Sequence, residues 1–98
     1  MPQVEIISEQ ERPGHWRFEV QVLDDAGSLR CHTLTLAWAD YNLWSSDGGD
    51  EPSRVADAVL NFMLSRDSAA ALPAKFDASI ARRKYPDADH VIPTLIGQ

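Results

Sequence analysis

The chain has 98 residues, 44% hydrophobic and 24% charged, with a formal net charge of -6; that length builds one modest core, and that composition excludes a disordered chain. Its single cysteine, Cys31, excludes an intramolecular disulfide, and no apolar run approaches the roughly 18 residues of a membrane span. The opening residues MPQVEIISEQ lack the basic segment and apolar core of a signal peptide, so one domain over residues 1–98 in a reducing cytoplasm is expected. Charge is divided unevenly. Residues 1–51 carry three basic side chains (Arg12, Arg17, Arg30) against ten acidic ones, while residues 52–98 carry six against five. An acidic front half gives no attraction to anionic lipid and counts against nucleic acid as a partner.

In chain order, VEII (Val4 to Ile7) is a short strand candidate, and the Pro13-Gly14 pair of ERPG punctuates a turn. HWRFEVQVL alternates, with Trp16, Phe18, Val20 and Val22 on one face and Arg17, Glu19 and Gln21 on the other, the period of a half-buried strand. A polar turn, DDAGS, leads into LRCHTLTLAW, where His32, Leu34, Leu36 and Trp38 share a face. These runs predict a hairpin, 15–23 with 29–37, inside an antiparallel sheet of about three strands. Trp38, Tyr41 and Trp44 are spaced by three, which makes one stripe if residues 38–44 are a helical turn. In EPSRVADAVLNFMLSR, Val55, Val59, Phe62 and Met63 fall on one helical face, with Pro52 suited to the first turn and Arg66 to the last. Pro73 predicts a break near Leu72. From there PAKFDASIARRKYP, with Phe76 and Ile80 four apart and three closing cations, predicts a second helix ending at Pro86. The tail, residues 87–98, reads as an extended arm because the proline in VIPTLI argues against a central strand. The class is α+β, a sheet covered by two or three C-terminal helices.

Phe62, Leu64, Arg66, Asp67, Leu72, Phe76, Asp77, Ile80, Tyr85 and Pro86 follow an order that resembles a group of short uncharacterised bacterial proteins with no assigned activity. Trp16, Phe18 and Val20, then Thr35, Leu36, Asp40 and Tyr41, look like that group too, so the likeness covers most of residues 15–93. Pro73 departs from the pattern. The resemblance implies a shared small fold and no catalytic role.

No linear pattern carries chemistry. His15, His32 and His90 lack metal-ligand spacing, and Asp47-Gly-Gly-Asp-Glu51 lacks the alternating register of a calcium loop. Cys31 and His32 are neighbours on a strand, so their side chains point to opposite faces and cannot form a nucleophile and base. The Gly48-Gly49 pair has no following Lys-Ser/Thr, and the paired carboxylates Asp24-Asp25 and Asp87/Asp89 sit in turns where water screens them. No enzyme activity, metal or cofactor is expected. Two surfaces remain. Trp38, Tyr41 and Trp44 are residue types that anchor protein interfaces, although a lid over the core is the plainer use of such a stripe. Arg82, Arg83 and Lys84, beside Tyr85, are the only dense cations and the place an antitoxin-like regulator would hold RNA or DNA, although cations closing a helix are the plainer use. A third route is the strand edge at Val4 to Ile7, open to a peptide or to a second copy in a homodimer. The leading expectation is a non-enzymatic protein-interaction or regulatory module.

Overall fold

The computed structural model describes residues 2–96 of the chain. The alternating run forms β2 (His15–Leu23), which buries Phe18, Val20 and Val22, and the next forms β3 (Leu29–Ala37), which buries His32, Leu34 and Leu36. They pair antiparallel, Phe18 opposite Leu34 and Val20 opposite His32, so both apolar sets share one face. The connecting turn closes on Asp24. Its carboxylate accepts the N–H groups of Ser28 (2.8 Å) and Ala26 (3.0 Å), and Gly27 supplies the left-handed φ of 86°.

Ahead of the hairpin, β1 (Gln3–Arg12) pairs antiparallel with β2 along its whole length. The sequence marked only Val4 to Ile7, because the SEQER that follows has no apolar face to betray it. Backbone pairing extends the strand past a bulge at Ile7, which has no opposite number on β2. The remaining elements are α1 (Trp38–Trp44), α2 (Pro52–Arg66), a single 3-10 turn at Ala69–Ala71, β4 (Lys75–Asp77), α3 (Ser79–Lys84) and α4 (Ala88–Leu95). Along the sheet the order is β1-β2-β3-β4, with β4 parallel to β3. The α+β class holds; the sheet has four strands and is mixed, rather than about three and antiparallel.

Helix α2 sits where the periodicity places it, with Val55, Val59, Phe62 and Met63 buried together with Ala56, Ala58 and Leu60. It packs on β1, β2 and β3, and α4 lies against it. The other face of the sheet, with Arg17, Glu19, Gln21, Cys31 and Thr33, is left to solvent. Leu72 follows the 3-10 turn, in line with the expected break there.

Two expectations on the C-terminal side are corrected. The helix expected from Pro73 to Tyr85 shrinks to α3, because residues 75–77 leave helical geometry to add β4 to the sheet. Long-range bonds hold them there: Thr33 N–H reaches Ala74 O (2.8 Å), Ala78 N–H reaches Thr35 O (2.7 Å), and Pro73 O accepts His32 Nδ1–H at 2.7 Å. Phe76 is therefore a strand residue, buried edge-on to the His32 ring. The tail expected as an extended arm is helical from Ala88 to Leu95 even though Pro93 lies inside it. One ladder hydrogen bond is lost at Pro93, and burial of Ala88 and Ile92 against α2 outweighs that loss. Residues 97 and 98 of that tail lie outside the described residues.

Candidate interaction surface

Residues 38–44 do form a helical turn, and the three aromatic rings meet different fates. Trp44 is 1% exposed, and its Nε1–H donates to Asp89 Oδ1 on α4 at 3.0 Å. Tyr41 is buried too; its hydroxyl donates to Gly48 O (3.0 Å) and sits against Asp50 O. Ser45 Oγ donates to Asp50 Oδ2 at 2.7 Å, so the acidic run after α1 is wrapped around the tyrosine. These two rings are core. Trp38 remains 44% exposed, packed on Trp16 at 6.2 Å between centroids, and its backbone N–H donates to Gly14 O in the β1–β2 turn. Of the three interaction candidates, only Trp38 presents its ring at the surface.

The three cations close α3 as the sequence suggests, and Arg82 and Lys84 already pair with carboxylates. Arg82 Nε lies 3.0 Å from Asp89 Oδ1 and its Nη1 3.3 Å from Asp40 Oδ1. Lys84 Nζ lies 3.2 Å from Asp67 Oδ2, and Arg83 acts electrostatically on Asp77. Asp40 is buried, which raises its carboxyl above the ordinary 3.8; nearby Asp77 adds to the rise, and Arg82 opposes it. For Asp77, burial pushes the same way, yet bonds from Ser79 and from Thr35 Oγ1 (2.6 Å) outweigh it and hold the carboxyl low. Asp67 is held low first by the Tyr85 hydroxyl and then by Lys84. The coupling of Arg82 to Asp40 and Asp89 was not visible in the sequence, where those residues lie 42 and 7 positions away. The one available signal was an aspartate placed among the aromatic residues of α1.

A third surface is the edge of the sheet. Among the described residues no strand pairs with the outer side of β1, whose ten residues carry Glu5, Glu9, Glu11 and Arg12. Its Ile7, displaced at the bulge, is 50% exposed. Near the start of β1 an open groove of about 360 Å³ is lined by Gln3, Val4, Glu5, Gln21, Leu23 and Leu29. Cys31 is exposed and His32 buried on opposite faces, so no thiol–imidazole pair forms. No group of three or more His, Cys, Asp or Glu converges on a metal position, and no helix is long and apolar enough to cross a membrane, among the described residues. Comparison of the chain with family models, curated proteins and solved structures gives no match.

Proposed function

We propose that this chain is a non-enzymatic protein-interaction module of the cytoplasm, working through the outer edge of β1 and through Trp38, which lies against the β1–β2 turn. The observation that carries the proposal is the position of Trp38: a 44% exposed tryptophan bonded through its backbone to the turn that ends β1. Large aromatic side chains left at a surface are the commonest anchors of protein interfaces, and an open strand edge supplies backbone donors and acceptors beside them. A cytoplasmic location suits Cys31, an exposed thiol that a reducing compartment leaves unoxidised. The alternative, an antitoxin-like regulator gripping RNA or DNA with Arg82, Arg83 and Lys84, is less favoured, because Asp40, Asp89 and Asp67 already pair with Arg82 and Lys84.

The test is capture of partners from native extract by the tagged full chain and its Trp38→Ala variant, each with and without nuclease. A protein retained by the parent through nuclease treatment and lost by Trp38→Ala supports the module. Equal capture by parent and variant overturns the role of this surface. Partners that vanish with nuclease transfer the argument to Arg82, Arg83 and Lys84.

A further inference from the structure

The bulge at Ile7 divides the edge of β1, and beyond it the pairing resumes one residue out of step. From there Glu9 stands opposite Phe18 and Glu11 opposite Trp16, so both carboxylates rise on the helix-bearing side of the sheet. Both are exposed at its margin, and neither has a hydrogen-bond or ion-pair partner among the described residues. Inboard of Glu11 lie the half-buried Trp16 and, 6.2 Å from it, the exposed Trp38. A strand added to an open edge alternates its side chains in step with the sheet. Side chains placed beside Glu9 and Glu11 therefore share their face with the two tryptophans.

We infer that residues 8–12 of β1 receive an extended, basic segment of another protein. Its alternate Lys or Arg residues face Glu9 and Glu11, and the cation beside Glu11 reaches towards Trp16 and Trp38. The inference rests on the interaction-module reading and names its partner class. Opposite charges directly across strands attract, and an ammonium or guanidinium near an indole face gains further from the ring quadrupole. A second copy of this chain is a poorer occupant, since it brings the same Glu5, Glu9 and Glu11 against a single Arg12. Nucleic acid is poorer still, because phosphates meet the same carboxylates.

The experiment titrates a synthetic peptide of alternating Lys and Thr into the 15N-labelled full chain, with Gln–Thr and Glu–Thr peptides as controls. The Lys–Thr peptide is expected to shift the amides of residues 8–12 and the indole N–H signals of Trp16 and Trp38, leaving the buried Trp44 indole unmoved. Affinity should fall about tenfold in Glu9→Gln/Glu11→Gln, whose substituted side chains are exposed, and the Glu–Thr peptide should not bind. Urea midpoints matching the parent show that the variant is folded. Equal binding by the Gln–Thr peptide, or an undiminished affinity in the double variant, overturns the basic-segment inference. If the Lys–Thr peptide fails while the parent still captures a partner that Trp38→Ala loses, this inference falls and the module stands. If Trp38→Ala captures as the parent does, the module falls.

Discussion

Two tryptophans six residues apart on one helix should respond in opposite ways to the same truncation. Trp44→Ala removes a side chain that is 1% exposed and packed between α1 and α4, with its indole N–H on Asp89. Emptying such a site costs about 3–5 kcal/mol, from lost transfer energy and the cavity left behind. For a chain of this length total stability is of the order of 5–15 kcal/mol, so one substitution removes a fifth or more. Trp38→Ala loses the covered part of a 44% exposed ring and its contact with Trp16, about 1 kcal/mol. With a urea slope of about 1–2 kcal/mol/M, the midpoint falls by about 1.5–5 M for Trp44→Ala and by about 0.5–1 M for Trp38→Ala. Far-UV circular dichroism is the suitable probe, since both changes alter tryptophan fluorescence directly. A Trp44→Ala midpoint within about 0.5 M of the parent, or a Trp38→Ala loss as large as that of Trp44→Ala, refutes the division of the stripe into core and surface.

Arg82→Ala leaves Asp40 buried without its guanidinium and should cost about 1–2 kcal/mol at neutral pH. Asp40 is raised above 3.8 in the folded chain, which then binds its proton more readily than the unfolded chain does. The deficit should therefore shrink as pH falls through that raised value, which urea titrations at neutral and acid pH will show. Asp77 runs the other way: its folded carboxyl lies below 3.8, so its contribution is present above 3.8 and lost as pH falls through the folded value. Asp77→Asn should be less stable by about 1 kcal/mol at neutral pH, with a gap from the parent that closes in acid, read from the same titrations. Gly14 holds a φ of 82° in the β1–β2 turn, with nothing within 4 Å of an added Cβ, so Gly14→Ala should lose about 1–2 kcal/mol of thermal stability through backbone strain alone.

What was legible in the sequence was whatever buries one face in a regular period. The alternation of Phe18, Val20 and Val22 and the spacing of Val55, Val59, Phe62 and Met63 reveal β2 and α2 because the core selects those positions. The helical stripe of α1 was legible for the same reason, but not the depth of each ring, since only α4 and the loop at Gly48 to Asp50 decide which is covered. Phe76 has no period of its own. Four residues before Ile80 it looks helical, yet bonds from β3, forty or so positions earlier, recruit it into a strand three residues long. Pro93 misled in the other direction. Local rules set against a regular element lost to the burial of Ile92, a tertiary gain that no short window contains.

The candidate surface follows from where the excess charge ends up after folding. Arg17 and Arg30 are held near Glu19 and Asp24, and Arg66, Arg82 and Lys84 near Asp87, Asp40 with Asp89, and Asp67. Arg82 carries a cation from the basic half of the chain onto Asp40 of the acidic half. Among the described residues Glu5, Glu9 and Glu11 receive no such cation, and all three stand on β1. An edge strand this long is a template for aggregation unless something blunts it, and a row of like charges with a bulge is one of the ways to do so. Those devices act against a copy that carries the same charges. Against a segment of opposite sign they become attraction, so the feature that keeps copies of the chain apart is the one that would admit a basic strand.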